Sequence, residues 1–291
     1  MQLSSQSSAS PHARRVVLLV LDGLRADLVG NPLFPHLTRL QALSACTTEA
    51  TTVLPSVTAV AMTSLLSGLS PMDHGVDSDR FRVPTPRVPM TTLPHAVVAA
   101  GLPASGVVRS VPWLLRNMAN RIVRTLGLQH TTFAAANAHV LLAAATPALR
   151  EQHTGLIVMH WPDCDTIGHS AGWMSTAYLT AVSRMDHALG MLLEELEGTL
   201  DDTLLLALAD HGGGGRVATH HDSAHPFDCT IPIFLHGAGI RPQQLPSGLT
   251  LLDVPATVLY ALGIAVPRSY AGTPITQAFH AEVLDFSATA A

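Results

Sequence analysis

Residues 206–215, Leu-Ala-Leu-Ala-Asp-His-Gly-Gly-Gly-Gly, carry an apolar run into Asp210-His211 and then four glycines. A buried parallel strand that stops this way delivers a carboxylate and an imidazole to its C-terminal edge, where glycines let the backbone approach a ligand closely. Residues 16–21 followed by Asp22-Gly23 have the same shape, and residues 156–160 are followed shortly by Asp165 and His169. One Asp after a strand is equally an ordinary turn or capping residue. Three such strand ends at one rim are another matter. An unpaired buried carboxylate is costly, whereas Asp and His grouped around divalent cations satisfy their charges mutually.

A second segment with chemical potential is residues 53–68, Val-Leu-Pro-Ser-Val-Thr-Ala-Val-Ala-Met-Thr-Ser-Leu-Leu-Ser-Gly. Pro55 and Ser56 end a loop, the pattern after them is helical, and Gly68 with Pro71 stops it. A hydroxyl in the first turn of such a helix meets free backbone N–H groups and the positive end of the helix dipole, which suits attack on a phosphoryl group. Ser or Thr at that position is also the usual helix cap. Ser56, Thr58 and Thr63 are the hydroxyls in question.

The elements that must position these groups are legible as an alternation. Residues 16–21, 105–109, 155–160, 203–209 and 231–235 are rich in Val, Ile or Leu without a two-residue alternation, as expected of strands covered on both faces. Residues 57–67, 91–100, 133–145, 172–197 and 252–262 read as helices. In 172–197, Met174, Tyr178, Val182, Met185, Leu189 and Leu192 recur at helical spacing as core residues. The expected fold is α/β, a mostly parallel central sheet with helices on both faces. Residues 1–13 read as a disordered Ser-rich tail and 14–291 as one catalytic domain, with a small cap or loop region around 77–130.

Composition narrows the function classes. With 291 residues, 47% of them hydrophobic, the chain has ample core for one large or two small domains. No apolar run reaches the roughly 18 to 20 residues of a membrane span, and the Arg14-Arg15 pair precedes too short a run for a secretion signal. All sixteen basic residues are arginine, so Schiff-base and P-loop lysine chemistry are excluded. Scattered arginines in a chain of net charge -5 argue against duplex nucleic acid as partner. Three cysteines, Cys46, Cys164 and Cys229, form no framework, which favours a cytoplasmic setting. No membrane partner is expected, and the oligomeric state is left open.

Order and spacing together resemble a family. Strand-Asp-Gly at Asp22, Pro55-Ser56-Val57-Thr58 running into Thr63-Ser64-Leu65-Leu66-Ser67-Gly68, His74-Gly75, residues 162–169, Asp210-His211-Gly212 and His221 ahead of Pro232 are similar to the alkaline phosphatase superfamily. The branch most resembled is the type I phosphodiesterase/nucleotide pyrophosphatase group, phosphonoacetate hydrolases included, over residues 16 to about 275. The resemblance implies a two-metal hydrolase, with zinc or alternatively manganese, acting through a threonine nucleophile on a small phosphorylated or phosphonate substrate. Position by position it implies that Asp22, Asp210, His211 and Thr58 hold one metal and Asp165, His169 and His221 the other, with Thr58 as nucleophile. Two cations can then activate the attacking oxygen and neutralise the leaving one. His220 and His225 compete with His221, and Asp163 with Asp165.

One position departs from the pattern. Where the family often carries an asparagine a few residues after His-Gly, this chain has Ser78-Asp79-Arg80. A carboxylate facing a phosphate repels it, so Asp79 turns away, pairs with Arg80 or Arg82, or marks an altered substrate. Asp79, Arg80 and Trp113 are the candidate substrate-binding residues. The other readings are a phosphomonoesterase, a sulfatase, a phosphomutase or a non-enzymatic metal-binding relative. The sulfatase reading lacks a Cys-x-Pro-x-Arg-like context at Cys46, and no ligand is missing as a non-enzymatic relative would predict.

Overall fold

The computed structural model describes residues 12–79 and 85–280. Eight strands, β1 (Arg15–Leu21), β2 (Ala45–Thr51), β3 (Ala104–Arg109), β4 (His130–Ala134), β5 (Gly155–Trp161), β6 (Thr203–Leu208), β7 (Thr230–Gly237) and β8 (Gln243–Gln244), form one sheet in the order β4-β3-β5-β1-β6-β7-β2-β8. Every pairing is parallel except the two made by β7. Central strands β1, β5 and β6 are apolar apart from Arg15, His160 and Thr203, because both faces are covered, and nearly all of their side chains are buried.

Ten helices complete the described chain: α1 (Pro35–Leu43), α2 (Thr58–Ser67), α3 (Pro71–His74), α4 (Leu93–Ala99), α5 (Arg116–Thr125), α6 (Ala138–Glu151), α7 (Asp163–Ala171), α8 (Thr176–Leu196), α9 (Pro226–Cys229) and α10 (Asp253–Ala261). The five expected strands are all present. The expected helix at 133–145 begins later, because residues 130–134 pair with β3 as the edge strand β4. Met174 is 41% exposed in the turn before α8, so the core stripe of that helix starts at Tyr178.

Two of the expected boundaries shift. Of the tail 1–13, residues 1–11 lie outside the described residues, while Ala13 is buried and donates its amide to Ala261 O at 2.9 Å. The 77–130 region is not one cap, since it contains α4 and β3, both packed into the body; among its described residues, 85–91 and 110–126 are the more exposed stretches. Parallel pairing of β3, β5, β1 and β6 brings their C-terminal ends to one edge, and the loops that follow them build the site.

Candidate functional site

Asp22 follows β1 directly, and Asp210-His211 follow β6 after one residue, so three of the predicted ligands are fixed by the two innermost strands. Asp22 is 3% exposed, and Asp210 and His211 are fully buried. His211 Nε2 lies 3.3 Å from Asp22 Oδ1 and 3.6 Å from Asp210 Oδ2. Gly23 turns the chain with φ 72°, and a side chain there would strike the Asp165 backbone at 2.8 Å. Its carbonyl accepts hydrogen bonds from Trp173 Nε1 and Tyr178 Oη, both 2.9 Å, which hold the turn after Asp22 in place.

Asp165 and His169 lie on α7, a helix that short, polar, glycine-containing sequence did not announce. Their spacing of four puts both on one face, with His169 Nε2 3.3 Å from Asp165 Oδ1. His221 arrives from the loop before α9, its Nε2 3.5 Å from the same carboxylate oxygen. Of the three rival histidines it is His221 that meets Asp165, while His220 bonds Thr219 and lines the adjacent cleft and His225 caps α9. Asp163 instead accepts the amide of Ala138. The His211 and His221 rings stack at 3.8 Å with planes 4° apart, joining the two groups of ligands.

Thr58 is the first residue of α2. Its Oγ1 lies 3.0 Å from His211 Nε2 and 3.5 Å from Asp22 Oδ1. Of the other hydroxyls, Ser56 is fully buried and donates to the His221 and Ser223 carbonyls, while Thr63 donates to Ala59 O within the helix. Neither faces the carboxylates. Ser56 has a positioning part all the same, because its carbonyl receives His221 Nδ1 at 2.6 Å.

His160 was missed as a site residue. It sits within β5, in register with Val20, and its Nε2 lies 3.1 Å from Asp22 Oδ2. A single polar residue inside an otherwise apolar strand, two residues from the rim, was the available signal.

These side chains fit divalent cations by their own chemistry. His169 and His221 each present Nδ1 to a backbone carbonyl, Thr219 O and Ser56 O, which fixes Nδ1 as the donor and leaves two Nε2 lone pairs facing each other at 3.1 Å. Lone pairs so placed repel unless a cation lies between them and the carboxylate. Asp165 Oδ1 and Asp210 Oδ2 are buried without a hydrogen-bond donor, which is expensive for an all-protein site. Ligand atoms of Asp165, His169 and His221 lie within 4.8 Å of one another, as do those of Asp22, His160 and Asp210, and those of Asp22, Asp165 and His211.

The electrostatics say the same. Burial, then the charge of Asp22, raises Asp165 to about 6, and the same causes raise Asp210 to about 7. Burial alone would raise Asp22 too, but His160 and His211 hold its carboxyl well below the usual range. Burial opposes charge on His211, yet Asp210 and Asp22 lift it to about 10, while burial and the neighbouring His211 push His221 down to about 4. Without metal, the carboxylates retain a proton on His211 where the cluster calls for positive charge.

Asp79 reaches the head of α2, where its Oδ1 accepts the amide of Ala59 at 3.0 Å, beside Thr58. It therefore faces the start of that helix instead of turning away. The cleft over the site, about 490 Å3, is lined by Pro55, Val57, Asp79, His169, His221 and neighbouring residues. Trp113 is 81% exposed and is not part of that lining, and Arg80 lies outside the described residues.

Comparison with known proteins follows this geometry. Residues 16–225 match the family model of type I phosphodiesterase/nucleotide pyrophosphatase. The chain belongs to that family. Its members are phosphoester and pyrophosphate hydrolases, and the fold is that of the alkaline phosphatase superfamily. Murine ectonucleotide pyrophosphatase/phosphodiesterase 5, in an inactive variant bound to AMP, superposes with a TM-score of 0.69 at 13% identity, over 92% of this chain and 100% of that one. The phosphonate monoester hydrolase of Silicibacter pomeroyi gives 0.67 at 15% identity, over 89% and 75%. A 2,3-bisphosphoglycerate-independent phosphoglycerate mutase of Pseudomonas fluorescens is 31% identical over 129 residues, 44% of this chain. The chain spans about a quarter of the length of the curated mutases it matches.

Proposed function

We propose that this member of the type I phosphodiesterase/nucleotide pyrophosphatase family is a two-metal hydrolase of phosphodiester, nucleotide pyrophosphate or phosphonate bonds, with Thr58 as its nucleophile. The observation that carries the reading is the placement of Thr58 Oγ1 at the first residue of α2, within 3.5 Å of both Asp22 and His211. Asp22, Asp210, His211 and Thr58 would hold one cation and Asp165, His169 and His221 the other, with zinc the better match to the mixed nitrogen and oxygen set and manganese an alternative. Bound there, the two ions would acidify the Thr58 hydroxyl and neutralise charge on the leaving oxygen.

The chain's own groups then divide the work. The α2 turn aims Thr58 Oγ1 at phosphorus, the P–O bond to the leaving group breaks as the Thr58–phosphorus bond forms, and the hydroxyl proton passes to solvent. Water afterwards cleaves the phosphothreonine and restores Thr58. A phosphoryl oxygen arriving at the head of α2 must take the Ala59 N–H from Asp79. The Asp79 carboxylate opposes a dianionic monoester more than a monoanionic diester or phosphonate ester, so the latter are the favoured substrates. That murine relative is inactive as a threonine-to-alanine variant supports the choice of nucleophile class.

A screen of the zinc- or manganese-loaded protein against aryl monoesters, aryl diesters, dinucleotides and phosphonate esters tests this reading. Turnover is expected for at least one diester or phosphonate class. A protein with two bound metals that turns over none of them would reject hydrolysis, and phosphoryl transfer to a sugar phosphate in place of water would point to the mutase relatives.

A further inference from the structure

Residues 110–126 leave the sheet after β3 and form an arm with an unusual surface. Within six positions Trp113 is 81% exposed, Leu114 72%, Leu115 44% and Met118 43%, and α5 buries none of its residues completely. Soluble domains rarely gather large apolar side chains this way without a use for them. The arm is held from behind. The Arg116 guanidinium sits 4.6 Å over the Phe133 ring and donates to Ser110 Oγ at 2.9 Å, and Val123 packs on the core. Its apolar tip therefore projects from a fixed base.

Charge on the arm has one sign, since residues 110–126 carry Arg116, Arg121 and Arg124 and no Asp or Glu. Residues 80–150 contain eight arginines and no Asp or Glu, whereas the rest of the chain holds the other eight arginines and all twenty-one acidic residues. Arg121 and Arg124 are exposed on α5 itself, and Arg109 ends β3 beside it. A basic helix face next to exposed Trp and Leu is the composition of a segment that lies in a bilayer interface, the arginines at anionic headgroups and the apolar residues at the acyl boundary.

The other occupants fit less well. A second copy of the arm would bring like charges together, and a nucleic acid would leave Trp113, Leu114 and Leu115 unused. The cleft over the metal ligands is lined without any residue of 110–126. We infer that this arm docks the protein on the surface of an anionic lipid bilayer, which replaces the expectation of no membrane partner. No helix among the described residues is long and apolar enough to cross a membrane, so the contact is confined to one leaflet's surface. Because β3 runs parallel to β5, the arm leaves from the same sheet edge that carries the ligand cluster, and docking would turn that edge toward the headgroups. The inference is independent of the reaction proposed above.

Cosedimentation of the full chain with phosphatidylglycerol-rich vesicles and with pure phosphatidylcholine vesicles, at low and high salt, tests it. Binding is expected to the former alone, weakening with salt. Replacing two arginines, Arg121→Glu with Arg124→Glu, should lower partitioning at least roughly twentyfold, about fivefold per lost charge. Leu114→Ser with Leu115→Ser should lower it about tenfold or more. Both pairs are on the surface and should leave the melting temperature unchanged. Absence of binding, equal binding to both vesicle types, or undiminished binding of the Leu114→Ser/Leu115→Ser variant would overturn the proposal, as would a dimer in solution that this variant abolishes.

Discussion

The two groups of ligands at the rim rest on different scaffolds. Asp22, Asp210 and His211 hang from the ends of β1 and β6, with side chains at most 4% exposed, whereas Asp165 and His169 ride on the short helix α7 and His221 on a loop, with His169 47% exposed. Strand ends in the centre of a sheet cannot move without disturbing the core, so the inner group has its geometry fixed in advance. In the outer group His169 is the open member, Asp165 and His221 being 16% and 3% exposed, and His169 and His221 line the cleft. Under the proposed reaction the two sides would have different parts: the inner side would hold the attacking oxygen in place, and the outer side would meet substrate and solvent.

The largest effects should come from the inner group. Asp210→Ala should lose the inner metal by elemental analysis and lower turnover by several orders of magnitude; full metal content would undo the division drawn here. Thr58→Ala should lower turnover as severely yet keep both metals and the fold, which separates nucleophile from ligand. Near-normal turnover in that variant would move the nucleophile elsewhere.

On the outer side the losses should be smaller. His169→Ala is expected to weaken one metal by about 10- to 100-fold in a chelator competition while the other stays bound. Equal weakening of both ions would mean that the two groups act as one unit. Smaller again, Asp79→Asn should raise activity on monoesters about tenfold more than on diesters, a differential of about 1.4 kcal/mol. Identical changes for both substrate types would show that Asp79 acts only as a cap on α2.

How much of this was legible in the sequence follows the same divide. Asp22, Asp210 and His211 stand out because each follows an apolar run and the runs end at one rim; any one of them alone would read equally as a turn or cap. Asp165 and His169 were picked out because they follow a third apolar run and fit the family spacing, but α7 was not, since Asp163–Ala171 has no apolar stripe. The i, i+4 relation of Asp165 and His169 was the one local sign of a helix. Strand β2 was missed because Ala45–Thr51 is polar and lies near the sheet edge, where half its residues need no cover. His160 escaped although it closes the run read as 155–160, because only the Asp and His that follow that run were weighed as ligands, and in the fold β5 extends one residue past it. The arm at 110–126 read as loop, since its apolar residues face outward and so break the pattern that marks a buried helix.

Trp173 sits between these regions. Its indole donates to Gly23 O behind the inner carboxylate, and its ring meets His169 and His221 edge-on at 5.3 and 5.6 Å. Gly213 has no room for a side chain because a Cβ there would come within 2.1 Å of the same ring. A metal ion held by His169 and His221 would change the charge beside that indole. The protein thus carries its own optical reporter of site occupancy: loading at neutral pH should change the emission of Trp173, read in a Trp113→Phe background where buried Trp161 is the one other indole.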